Sequence, residues 1–74
     1  NLGLARVLRA FGVIEGKLGQ MQAAENYFNQ ALNLSTKYGD DLGAAKALLE
    51  WAKLIVYINS SVAKDYYTRA LALF

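Results

Sequence analysis

Two blocks of this sequence occur twice, and nothing else in the chain constrains its fold as strongly. Asn-Leu-Gly-Leu-Ala-Arg-Val-Leu at positions 1–8 recurs as Asp-Leu-Gly-Ala-Ala-Lys-Ala-Leu at 41–48, forty residues later. Ala-Glu-Asn-Tyr-Phe-Asn-Gln-Ala-Leu at 24–32 recurs as Ala-Lys-Asp-Tyr-Tyr-Thr-Arg-Ala-Leu at 63–71, thirty-nine residues later. The offsets differ by one, so a single deletion separates the matched blocks. Self-similarity at this spacing marks stacked structural units, none of which can bury its apolar face alone. Such stacks build extended surfaces more readily than reaction centres.

Within the repeat, apolar spacing predicts four helices. The first covers about 2–16, with Leu4, Leu8, Phe11 and Ile14 as its stripe. Asn1 suits its N-cap, and Gly16 and Gly19 supply left-handed positions for a tight turn at Gly19-Gln20. The second covers about 21–38, with Ala24, Tyr27, Phe28, Ala31 and Leu32 on one face. Gly39 stops it, and Asp40 or Asp41 caps a third helix over 42–57 that carries Leu48, Trp51, Ala52 and Ile55. Asn59-Ser60-Ser61 opens a fourth, running over 61–74. The chain contains no proline, and no strand-like alternation competes. Short connections make neighbouring helices antiparallel, so the order is two helix-turn-helix units, 1–40 and 41–74. Small residues occupy equivalent places (Gly12 with Ala52, Ala24 with Ala63, Ala31 with Ala70), and so do large ones (Leu8 with Leu48, Phe11 with Trp51, Phe28 with Tyr67). Leu8, Phe11, Phe28, Leu48, Trp51 and Tyr67 are therefore the expected core.

Composition narrows the function. With 74 residues there is room for one small domain, yet 55% are hydrophobic and only 19% charged, which predicts faces that pack on something beyond this chain. Cysteine and histidine are both absent, removing disulfides, thiolate metal sites, the commonest general base and the commonest metal ligand. No apolar run approaches the ~20 residues of a membrane span. No signal peptide is visible, and a cytoplasmic location is expected. Starting at Asn1 on a repeat boundary, the chain reads as an excerpt of a longer array.

Several local patterns resemble functional motifs without their context. The segment 12–17, Gly-Val-Ile-Glu-Gly-Lys, is one residue short of a phosphate loop, lacks the following Ser or Thr, and ends a helix. Gly16-Lys17-Leu18-Gly19 matches a Gly-x-x-Gly RNA clamp, but that module needs a sheet. Asp40-Asp41 is explained as a helix N-terminus, with no third metal ligand in view. Tyr27, Tyr66, Tyr67 and Trp51 recur at helical spacing and fit a core better than a base-stacking platform. No nucleophile–base pair or metal constellation can be assembled, so no catalytic residue, metal site or cofactor is expected and the chain is not read as an enzyme.

The pattern resembles the tetratricopeptide repeat. That family's first helix carries a large residue, then an aromatic or leucine followed by Gly or Ala; its second carries Ala, an aromatic and Ala. These places fall on Leu8, Phe11, Gly12, Ala24, Phe28 and Ala31, then on Leu48, Trp51, Ala52, Ala63, Tyr67 and Ala70. Two departures stand out. The usual Pro at the end of the second helix is missing, with Thr36 near that place. The unit is also longer than the family's usual length of about 34 residues, with the extra residues around 37–42, and in this it is similar to the repeats of kinesin light chain and of bacterial sensor and regulatory proteins. The resemblance implies an all-α, right-handed α–α superhelix whose first helices line a concave groove. It places Arg6, Arg9 and Val13 in that groove, joined by Lys46, Leu49, Lys53 and Tyr57 from the second unit.

Five of the eight basic residues (Arg6, Arg9, Lys17, Lys46 and Lys53) lie on or at the end of a first helix. They predict a groove for an acidic peptide or helix of a partner protein, though the same charges also fit a solvated helix face. The family's carboxylate clamp is not expected, because Val13 and Glu50 stand where its asparagines would be needed. Nucleic acid and membrane are not expected partners. The main expectation is thus a protein-interaction module. The alternatives are a sensor or regulatory segment of a larger protein, and a self-assembly segment whose uncharged end, Ala70 to Phe74, contacts another copy.

Overall fold

The computed structural model describes residues 2–73, without the side chain of Leu2. It contains four α-helices: α1 (Leu2–Lys17), α2 (Met21–Lys37), α3 (Asp41–Ile55) and α4 (Ser60–Leu73). Among the described residues there is no strand. No helix is long and apolar enough to cross a membrane. The expected cap at Asn1 and the expected final residue Phe74 of the last helix lie outside the described residues.

The helix ends follow local chemistry. Gly19 (φ 81°) and Gly39 (φ 69°) take the left-handed conformation that ends α1 and α2. Both ends close alike: Gln20 N–H donates to Glu15 O at 2.8 Å and Gly19 N–H to Gly16 O at 3.1 Å, while Asp40 N–H donates to Ser35 O at 2.8 Å and Gly39 N–H to Thr36 O at 3.1 Å. Asp40 then caps α3, its Oδ1 accepting from Gly43 N–H at 3.0 Å. Asn59 does the same for α4, accepting from Val62 N–H at 3.2 Å. The third helix ends two residues earlier than its spacing predicts. Ile58 and Asn59 both donate backbone N–H to Ile55 O, which leaves Tyr57 in the turn. Gly16, expected in a turn, lies inside α1, where an added Cβ would strike Leu54.

Packing is organised around α3, which lies against α1, α2 and α4; the backbone of α4 approaches α3 alone. One core cluster joins Ala24, Phe28, Trp51, Ala52, Ile55 and Ala63, and a second joins Ala45, Leu48 and Ala70. All six small residues at equivalent places are buried, because helices approach most closely where side chains are short. Phe28, Leu48 and Trp51 are core residues as expected, at 3%, 4% and 6% exposure. Leu8 is half-buried.

Two expected core residues are not core. Phe11 is 46% exposed and Tyr67 37% exposed. The cause lies in how α1 and α4 are turned. Toward its neighbours α1 buries Ala5 and Gly12, and the stripe of Leu4, Phe11 and Ile14 faces outward. Phe11 stacks on Tyr27 at 5.5 Å between centroids, its one ring contact among the described residues. Trp51, its counterpart forty residues on, meets Tyr66 at 6.5 Å in the equivalent contact, but also receives Phe28 at 5.6 Å from the other side. That second layer is what Phe11 lacks.

Candidate basic recess between α1 and α3

The small residues that bring α1 close to α3 also bring their basic residues together. Arg6 and Lys46 hold equivalent places in the two helices and are both exposed; Arg9, one turn after Arg6, is half-buried. A recess of about 310 Å³ is lined by Gly3, Arg6, Arg9, Asp40, Leu42, Gly43 and Lys46. A second, of about 350 Å³, is lined by Arg9, Ala10, Val13, Lys46 and Glu50. Arg9 and Lys46 belong to both, so the two recesses adjoin as a shallow channel between α1 and α3.

Its electrostatics are unbalanced. Arg6, Arg9 and Lys46 surround the first recess, and Asp40 is its one carboxylate. One oxygen of that carboxylate already accepts the Gly43 N–H as the cap of α3. Arg9 has a partner, donating from Nη1 to the Gly43 carbonyl at 3.3 Å, which pins its guanidinium at the mouth of the recess. Arg6 and Lys46 make no ion pair within 4.0 Å among the described residues. An anionic side chain entering here would meet three cations, the half-buried Arg9 and the exposed Arg6 and Lys46, whose attraction salt screens.

Of the seven groove residues expected from sequence, Arg6, Arg9, Val13 and Lys46 line the channel. Leu49 is instead half-buried beside Ala45, Leu48 and Ala70. Lys53 is outside the lining and pairs with Glu50, which is part of it, at 3.5 Å. Tyr57 is 94% exposed beyond the end of α3. Sequence reasoning missed Gly3, Asp40, Leu42 and Gly43. The equivalence of Gly3 and Gly43 was the available signal, because paired glycines at two helix starts allow those starts to approach.

Elsewhere, an apolar recess of about 440 Å³ is lined by Met21, Gln22, Glu25, Trp51, Ile55, Ile58, Asn59 and Val62. It contains a single charged residue, Glu25, and lies over the α3–α4 turn. No protein-family model matches the chain, and neither the curated proteins nor the solved structures contain a match.

Proposed function

We propose that the chain is a two-unit segment of a tetratricopeptide-like superhelix that binds an acidic peptide or helix of a partner protein along the α1/α3 channel. In this reading each unit is an antiparallel helix pair. The first helices present Arg6, Arg9, Val13 and Lys46 to the ligand, while α2 and α4 support them from behind. The observation that carries the proposal is the convergence of Arg6, Arg9 and Lys46 on one recess whose single carboxylate is engaged as a helix cap. Val13 adds an apolar wall in the adjoining recess, suited to a side chain next to the acid. Placed this way, the charges set association rate and selectivity more than total affinity.

Titration with a short glutamate-rich peptide, followed by backbone amide shifts, tests the reading. Shifts are expected at Arg6, Arg9, Gly43 and Lys46. Arg6→Glu combined with Lys46→Glu should weaken binding by about tenfold, roughly 1.4 kcal/mol, with helicity unchanged. Arg9 is left intact in that variant because it also holds the Gly43 carbonyl. Unchanged affinity in the double variant would reduce these charges to a solvated surface. Duplex DNA bound in preference to the peptide at physiological salt, with a steep salt slope, would overturn the peptide reading.

A further inference from the structure

The joint between α3 and the α1/α2 pair has a counterpart at each end of the molecule. Trp51, Ala47 and Leu54 of α3 meet the first unit at this joint: Trp51 on the Phe28 ring, Ala47 beside Phe28 and Leu32, and Leu54 against Gly16. Forty residues earlier, the same helical places hold Phe11, Val7 and Ile14. All three are apolar, and they are 46%, 48% and 51% exposed. On the other side of the joint stand Phe28 and Leu32. Thirty-nine residues later their places hold Tyr67 and Leu71, which are also exposed. One end of the molecule therefore carries the knob half of the joint, and the other carries the platform half.

Sizes match at every place but one, where the Gly16 that receives Leu54 is replaced by Val56, half-buried in the α3–α4 turn. Ile14 replaces Leu54 and Leu71 repeats Leu32, while Tyr67 replaces Phe28 with one added hydroxyl. The larger Val7 in place of Ala47 is offset by the smaller Phe11 in place of Trp51. Isolated apolar residues on a surface need no explanation, but an apolar set that repeats most of a buried interface does.

We propose that copies of this chain stack head to tail. The α1 face of one copy (Val7, Phe11, Ile14) seats on the α3/α4 face of the next (Tyr67, Leu71), repeating the internal joint. Phe11 then meets Tyr67 of the neighbour as Trp51 meets Phe28. A second copy is the occupant because it carries both halves of the joint. The contact is heterologous: it uses different patches on the two partners, so each added copy leaves one half of each kind open at the ends. Assembly should therefore grow with concentration instead of stopping at a dimer. The proposal is independent of the basic channel, whose residues lie outside both faces.

Sedimentation velocity of the intact 74-residue chain, from micromolar to millimolar concentration, is the first test. The expected result is an average mass that rises beyond twice that of the monomer. A constant monomer mass overturns the proposal without any variant. Phe11→Glu blocks one half and Leu71→Glu the other, and each variant alone should be monomeric with unchanged far-UV circular dichroism. Mixed in equal amounts they should form a single species of two chains, because each retains the half the other has lost. Should Phe11→Glu lose helicity, Val7→Glu replaces it. A mixture that stays monomeric, or single variants that self-associate as the unaltered chain does, would overturn the head-to-tail joint.

Discussion

Gly12 shows how little room the contact between α1 and α2 leaves. In an exposed helix interior, Gly→Ala is stabilising by about 1 kcal/mol. Here the added Cβ would lie 2.8 Å from Cε2 of Phe28, whose ring is backed by Trp51. The clash outweighs the propensity gain, so Gly12→Ala should lower stability by about 1–3 kcal/mol, read as a shift in urea midpoint. Ser35 presents the opposite case. Its hydroxyl is fully buried without a hydrogen-bond partner, beside Gly43. A buried unpaired hydroxyl costs about 1–3 kcal/mol, so Ser35→Ala should raise the melting temperature, and a lower one would mean that the hydroxyl is bonded after all. The requirement for a small residue at 12 was legible in the sequence, through its equivalence with Ala52. The orphaned hydroxyl at 35 was not, because no repeat partner marks it within the described residues.

At the scale of elements, what was legible is what is local. Gly39 followed by Asp40, and Asn59 followed by two serines, fix helix ends through backbone conformation and capping, which need only a few neighbours. Asp40→Ala should cost about 1 kcal/mol, measurable as a fall in thermal midpoint and in helix content at the start of α3. Replacing Asp40 with Asn should retain most of that stability. What was not legible is which face of a helix finds a partner. The stripe of Leu4, Leu8, Phe11 and Ile14 has the period of a buried face, yet α1 packs through Ala5 and Gly12. Periodicity reports that a helix has an apolar side; it does not report whether the covering surface belongs to the same chain. The channel follows the same logic. Arg6, Arg9 and Lys46 line one recess, whereas Tyr57 lies in the turn that follows Ile55, a turn without glycine.

At the scale of the molecule, Trp51 is the side chain that makes two units into one body. It receives Phe28 on one side and Tyr66 on the other, and is 6% exposed. Trp51→Ala should cost about 3–5 kcal/mol. A single core in so small a chain rarely supplies more than about 3–5 kcal/mol, so the variant should be largely unfolded at ambient temperature by circular dichroism. A variant that keeps a cooperative transition near the original midpoint would assign the coupling to the second core cluster around Leu48. The arrangement of the helices has a mechanical corollary. Helices α1, α2 and α3 form a closed triangle in which each braces the other two, while among the described residues the backbone of α4 lies against α3 alone. Under tension between the chain ends, the load enters at α1 and α4 alike, and α4 is the one with a single backbone neighbour to lose. The helix should peel away first, leaving three braced helices behind, so that the molecule yields in steps and always from the same end.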